Sequence, residues 1–168
     1  MTKRLSEEAE DRFLEALRRH EQIINKVIRI YGVDSEDRSD LFQEIVYQLW
    51  RSFGSFKGES RISTWVYRVA LNTAITSLRK SKKVPEHTEL NDQYLHIPSF
   101  DTAKGSEQLK QLYSAIRSLG EVDRAVIMLY LEELSYKEIA EVLGLTEDNV
   151  GVKLNRIKTK LRARIGAN

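Results

Sequence analysis

Residues 135–162 have the sequence SYKEIAEVLGLTEDNVGVKLNRIKTKLR, which contains signals for the start of two helices and for the end of the first. Ser135 and Glu138 have the Ser-x-x-Glu spacing of a capping box, which predicts that a short helix begins there. Gly144 stands where that helix must end in a left-handed residue, and Thr146 is placed to cap a second helix. The second helix is basic and has an apolar face at helical spacing, formed by Val150, Leu154, Ile157 and Leu161. A short helix, a glycine turn and a basic helix together predict a helix-turn-helix unit.

In such a unit the second helix enters the major groove of DNA, and its first turns face the base edges. The residues in those positions are Asn149, Gly151, Val152, Lys153, Asn155 and Arg156. Asn can pair with adenine, and Arg or Lys with guanine. Gly151 costs about 1 kcal/mol relative to Ala inside a helix, so either close approach to DNA or simple tolerance would account for it. Helical hairpins with a basic last helix also occur in protein-binding domains, so this pattern alone leaves both functions open.

The same apolar rhythm predicts five earlier helices and no β-strand. They cover residues 13–31, 41–53, 62–80, 109–119 and 122–130, with a polar turn at 33–39 and Ser106 as the N-cap of the fourth. From 82 to 104 the rhythm disappears, and this segment contains both prolines of the chain. A loop of that length is unusual inside one compact domain. We therefore expect an all-α protein with two small helical domains, 5–83 and 106–166, joined by an extended acidic linker at 84–105.

The composition excludes several classes of protein. The chain has 168 residues and no cysteine, so it has neither a disulfide framework nor a thiolate metal site. Its charged N-terminus lacks the apolar core of a signal peptide, and no apolar stretch approaches the about 20 residues of a membrane span. We expect a soluble, cytoplasmic protein without membrane insertion. The histidines show no metal-ligand spacing, and P-loop and dinucleotide motifs are absent, so we expect no enzyme, no metal and no cofactor.

The charges are segregated along the chain. Residues 60–83 and 150–168 each contain six basic residues and no acidic one, whereas the other 125 residues contain 15 basic and 25 acidic residues. Two basic stripes on an acidic body indicate two contacts with a polyanion. Two solvated helix faces would give the same pattern.

The predicted helix at 62–80 combines aromatic and basic side chains, which are the groups that hold unstacked bases. Trp65 lies on its inward stripe, so we expect it to be structural. We expect Tyr67, Arg68 and Asn72 on the outer face, and Arg61, Arg68 and Arg79 available to solvent or a ligand.

Three ordered motifs resemble bacterial sigma factors of the small extracytoplasmic-function type. The first is DLFQE at 40–44, running on to Leu49 and Trp50, which resembles the region 2 helix that docks on the polymerase clamp. The second is FKGES at 56–60 followed by TWVYRVALN at 64–72 and LRK at 78–80, similar to the segment that recognises and melts the −10 element. The third runs from 118 to 124 and from LSYKEIA at 134–140 into the last helix, similar to the region 4 reader of the −35 element. The resemblance covers nearly the whole chain.

The resemblance implies a dissociable sigma subunit that directs promoter-specific transcription initiation and regulates transcription. The implied partners are core RNA polymerase, through its beta-prime clamp and beta flap, promoter DNA and an anti-sigma factor. The implied polymerase-binding residues are Asp40, Gln43, Glu44 and Tyr47. The implied −10 DNA-binding residues are Phe56, Lys57, Ser60, Arg61, Tyr67, Arg68, Asn72, Arg79 and Lys80. The implied −35 DNA-binding residues are Thr146, Asn149, Val152, Lys153, Asn155, Arg156 and Lys160.

Two departures from the family pattern bear on promoter choice. Many members have Thr where Asn149 stands and a small polar residue near Val152, so the family's −35 base preference does not transfer to this chain. The alternative function is a stand-alone helix-turn-helix regulator that binds duplex DNA without polymerase. An RNA-binding or adaptor protein is a third reading, which the ordered motifs disfavour.

Overall fold

The computed structural model describes residues 6–82 and 107–166, which form seven helices and no strand. The all-α prediction is confirmed for these ranges. The predicted linker at 84–105, the boundaries next to it and the N-cap Ser106 lie outside them. The helices are α1 (Glu7–Tyr31), α2 (Ser35–Phe53), α3 (Ile62–Lys82), α4 (Glu107–Arg117), α5 (Glu121–Leu131), α6 (Tyr136–Leu143) and α7 (Glu147–Gly166).

Helices α1, α2 and α3 pack on one another as the first unit. Their apolar stripes form its core, where the almost fully buried residues are Ile24, Val27, Ile45, Leu49 and Leu71. An aromatic cluster extends this core: the Phe13 ring packs edge-on against Trp50 and Phe53, with centroids 5.0 and 5.4 Å away. Trp65 packs against Phe53, which confirms the structural role predicted for it.

Helix α2 begins earlier than the sequence predicts. The side chain of Asp34 accepts a hydrogen bond from the Asp37 amide at 2.8 Å, and the Val33 amide donates to the Asp37 carboxylate at 2.8 Å. These two bonds satisfy amides that would otherwise lack partners, so the helix begins at Ser35. The prediction of a polar turn over 33–39 is therefore wrong for 35–39.

Helices α4 to α7 form the second unit, and the caps predicted for α6 and α7 are confirmed. The Ser135 hydroxyl accepts from the Glu138 amide, and the Glu138 carboxylate accepts from the Ser135 amide. Gly144 is left-handed, with φ 67°. Thr146 Oγ1 accepts from the Asn149 amide at 3.2 Å. The four predicted apolar positions of α7 are buried, so α6 and α7 form the expected helix-turn-helix.

Replacing either of two glycines with alanine should change the stability of the protein, but in opposite directions. Gly32 follows α1 with φ −78°, and a Cβ there would lie 2.3 Å from Arg38 Cγ and 2.9 Å from the Ile28 carbonyl oxygen. Gly32→Ala should therefore lower the free energy of unfolding by about 1–3 kcal/mol, as overpacking does. A Cβ on Gly151 would lie 3.5 Å from the Tyr136 ring, an ordinary contact. Gly151→Ala should raise the free energy of unfolding by up to about 1 kcal/mol.

Urea unfolding of the two variants beside the wild type measures both effects. A Gly32→Ala variant as stable as the wild type would show that Arg38 moves away without cost.

Candidate nucleic-acid and polymerase interfaces

One face of α7 is open to solvent and carries most of the predicted −35 residues. Asn149, Asn155, Arg156 and Lys160 are exposed, and Val152 is 49% exposed. Since Val150, Leu154, Ile157 and Leu161 are buried on the opposite side, these five side chains share the outward surface, which we call the reading face. It offers amide and guanidinium groups of the kind that bind base edges and phosphates.

Two basic residues of α7 are engaged inside the second unit. Lys153 Nζ lies 3.3 Å from Asp123 Oδ1 on α5, and Lys153 is half-buried. Lys158 Nζ donates to the Tyr130 hydroxyl at 3.1 Å and lies 4.3 Å from the centre of that ring. Lys153 is therefore held against α5 in this structure and is less available for a base contact than the sequence predicts.

Tyr136 is a residue of this surface that sequence reasoning missed. It is the first residue of α6 and is 41% exposed, and its ring lies beside Gly151. A Cβ at Gly151 would make only an ordinary contact with this ring, so packing within the chain does not require a glycine there. An aromatic residue directly after the predicted cap Ser135 is the signal that could have drawn attention to it.

The four predicted polymerase-binding residues lie together on α2. Asp40, Gln43 and Glu44 are exposed, and Tyr47 is 53% exposed. We call the surface formed by these four predicted contacts the clamp face. Glu44 accepts a hydrogen bond from Gln48 at 2.9 Å, which orients its carboxylate. The apolar side of the helix packs into the first unit, so the acidic and amide groups stay outside.

An open groove of about 540 Å³ lies between α2 and α3. Its α2 wall includes Asp40 and Glu44 of the clamp face, and its α3 wall includes Asn72 and Lys80. The structure thus places two predicted −10 residues beside two predicted polymerase contacts. Their proximity depends on how α2 packs against α3, which the sequence does not specify.

Some of the predicted −10 residues are exposed to solvent, and others pack into the folded core. Lys57, Arg61, Asn72 and Lys80 are exposed, and Ser60 is half-buried. Phe56 packs against Trp65, with ring centroids 5.2 Å apart, so it contributes to the aromatic cluster.

The predicted outer position of Tyr67 is wrong. Tyr67 is only 6% exposed, because α3 is packed against the first unit on one side and against α5 and α6 on the other. Burial and, to a smaller extent, the nearby carboxylate of Glu132 together raise the pKa of the Tyr67 hydroxyl to about 12.

Arg68 and Arg79 each contact the second unit. Arg68 is half-buried, and its Nη2 donates to the Glu141 carbonyl at 3.1 Å. Arg79 Nε lies 3.2 Å from Glu121 Oε1, but the Arg79 side chain is 59% exposed, as predicted.

The described residues contain no group of three or more metal-ligating side chains that could hold an ion. None of the described helices is both long and apolar enough to cross a membrane.

Two family models match the chain in order. The model described as "Sigma-70 region 2" matches residues 16–84, and the model described as "Sigma-70, region 4" matches residues 109–161.

Curated relatives match over most of their length. The ECF RNA polymerase sigma-E factor of Haemophilus influenzae is 31% identical over 145 residues, which cover 79% of this chain and 77% of the relative. The ECF RNA polymerase sigma factor SigM of Mycobacterium tuberculosis is 27% identical over 155 residues, which cover 92% of this chain and 77% of the relative.

Solved structures share the fold. The sigma factor RpoE from Bartonella quintana, in complex with the anti-sigma factor NepR, has a TM-score of 0.70 at 17% identity and covers 97% of this chain and 99% of its own. CnrH, in complex with the cytosolic domain of CnrY, has a TM-score of 0.65 at 22% identity, and the match covers 93% of this chain and 88% of CnrH. Together with the two regional models and the relative above 30% identity, this likeness shows that the chain belongs to the extracytoplasmic-function group of sigma-70 factors, which bind RNA polymerase and direct transcription initiation.

Proposed function

We propose that this sigma factor directs core polymerase through three surfaces on different helices and has no catalytic activity of its own. The clamp face of α2 binds the beta-prime clamp, α3 and the loop before it capture the −10 strand, and the reading face of α7 binds the −35 duplex. The domains are region 2 at 5–83, the linker at 84–105 and region 4 at 106–166. The observation that carries the proposal is that α2 and α7 each bury an apolar side and leave a polar side open.

The clamp face suits a protein partner better than DNA. Its acidic residues Asp40 and Glu44 would repel a phosphate backbone, whereas charge complementarity would bring them to a basic protein surface. The exposed Tyr47 adds an aromatic group of the kind that is enriched in protein interfaces.

The −10 strand is captured by the residues of α3 and its preceding loop that the structure leaves exposed. Asn72 presents an amide that can satisfy a base edge, and Lys57, Arg61 and Lys80 supply cations for the backbone. Arg79 is exposed as well and supplies a further cation, whereas Tyr67 is buried and the half-buried Arg68 donates to the Glu141 carbonyl.

The reading face makes a prediction that separates base contacts from phosphate contacts. Arg156→Ala should weaken promoter binding by about 1–3 kcal/mol and relax the preference at one position of the −35 element. Lys160→Ala should weaken binding to all sequences to a similar extent and reduce the salt dependence. Both residues are exposed on α7, so neither truncation should disturb the core.

Titration of the holoenzyme on promoters varied at single −35 positions measures both effects. Equal, sequence-independent losses for both variants would make Arg156 a phosphate contact instead.

We also propose an anti-sigma factor as a partner and the beta flap as the docking site of region 4. Two of the solved structures with this fold are sigma factors held by a second protein, NepR and the cytosolic domain of CnrY. Since bacterial polymerase works in the cytoplasm, we expect the chain to act there.

Dependence on core polymerase tests the proposed function against the stand-alone regulator. A mobility-shift assay on a promoter fragment should give a sequence-specific complex with core polymerase and the chain together, and none with core polymerase alone. An equally specific and equally tight complex with the purified chain alone would favour the stand-alone regulator.

A further inference from the structure

The reading face of α7 has an aliphatic side chain at its centre. At 100° per residue, the four buried positions of α7 lie on average about 170° around the helix axis from Val152. Val152 therefore points away from the second unit, along the outward midline of the helix, and it is 49% exposed. In a helix whose first turns face the base edges, a side chain on this midline projects toward the floor of the major groove.

Polar groups flank Val152 on both sides. Asn155 lies about 60° around the axis to one side, and Asn149 and Arg156 lie about 60° and 40° to the other. All three are exposed, and among the five residues of the reading face only Val152 is apolar. A single exposed valine is ordinary on a protein surface, but this one stands in the middle of a set that faces base edges.

The immediate surroundings of Val152 leave its methyl groups open to a ligand. The preceding residue, Gly151, has no side chain, and beside it lies the ring of Tyr136, which is 41% exposed. Valine is β-branched and has one strongly preferred rotamer in a helix. The two methyl groups are therefore held in place before DNA binds, and little side-chain entropy is lost on contact.

The major groove offers one apolar partner for such a side chain. Thymine carries a C5-methyl group there, whereas the readable groups of adenine, guanine and cytosine are hydrogen-bond donors and acceptors. Against one of those polar edges, Val152 would displace water without replacing its hydrogen bonds, which is unfavourable. Against thymine, it would remove two apolar surfaces from water, which is favourable.

We propose that Val152 is a specificity-determining residue that packs against the C5-methyl group of one thymine in the −35 element. This inference rests on the proposed function, because it requires α7 to lie in the major groove at −35. It adds the identity of one base to that function. The flanking residues Asn149, Asn155 and Arg156 then contact the neighbouring base pairs and phosphates.

Replacement of thymine by uracil tests the contact, because the two bases pair identically and differ only in the C5-methyl group. In a promoter whose start site requires the chain, each −35 thymine on either strand is replaced in turn by deoxyuridine. The holoenzyme is then titrated on each duplex. One replacement should weaken binding about fourfold, which corresponds to the burial of one methyl group.

The variant Val152→Ser assigns the contact to its side chain. It removes both methyl groups and presents a hydroxyl, which can bond to any base edge. Its holoenzyme should bind the thymine and uracil duplexes equally well at that one position. Because Val152 is exposed, the substitution leaves the core of the second unit intact.

The matched control is Leu131→Ser, which makes the same kind of change at a 50% exposed aliphatic residue at the end of α5. Leu131 lies outside the reading face, so this variant should keep the fourfold loss on the uracil duplex.

Three results would overturn the inference. They are a wild-type holoenzyme that is indifferent to every uracil replacement, a fourfold loss that persists in Val152→Ser, and a −35 element made of G·C pairs alone. Failure of the proposed function gives a different result. In that case the wild-type holoenzyme would bind equally well after the whole −35 element has been replaced.

Discussion

Replacing both carboxylates of the clamp face, with Asp40→Lys and Glu44→Lys together, should weaken binding to core polymerase at least about tenfold. The reason is that like charges facing each other across an interface cost several kcal/mol. Both residues are exposed one turn apart on α2, so the helix should keep its structure. Capture of core polymerase on the immobilised sigma factor over a range of concentrations measures the affinity.

The matched control is Asp11→Lys with Glu15→Lys, two exposed carboxylates at the same spacing on α1. It changes the net charge equally but lies away from the clamp face, so it should bind polymerase like the wild type. Equal binding by the Asp40 and Glu44 variant and the wild type would remove this surface from the polymerase interface.

Replacing Asn72 with Ala should lower transcription from duplex promoters about tenfold and leave polymerase binding unchanged. Extrusion of a base from the stack costs a few kcal/mol, which only contacts to the extruded base can recover. A lost hydrogen bond to that base is worth about 1–2 kcal/mol. A template mismatched across the −10 region is already open, so the protein does not have to supply the free energy of extrusion. Such a template should therefore restore much of the activity.

Run-off transcript yields on the paired and premelted templates, relative to wild type, measure this effect. Thr76→Ala is the matched control, because Thr76 is exposed one turn farther along α3 and lines the same groove. Equal defects on both templates would mean that Asn72 does not assist opening, and full activity on both would make it a surface amide.

The features that the sequence predicted well depend on residues close together in the chain. The capping box of Ser135 and Glu138, the left-handed Gly144 and the cap by Thr146 each involve partners no more than four residues apart. The buried side of α7 follows from the helical period alone. These local rules were enough to place the helix-turn-helix and its reading face.

The errors concern contacts between residues far apart in the chain. Arg68 donates to a carbonyl 73 residues away, and Tyr67 is buried on a helix that packs against α5 and α6 of the other unit. The helical period assigns a residue to one side of its helix but does not show that a second partner covers that side. The early start of α2 is a different error, since Asp34 and Asp37 carried a local capping signal that the apolar pattern obscured.

We propose that the chain gives core polymerase its choice of promoter through two separated DNA contacts. This proposal can be tested by run-off transcription on fragmented genomic DNA, with core polymerase with and without the purified chain, followed by sequencing of RNA 5′ ends. We predict a set of starts that requires the chain and shares two sequence elements, near −10 and −35, at a fixed spacing. Starts that are the same without the chain, or that share no upstream sequence, would contradict the claim.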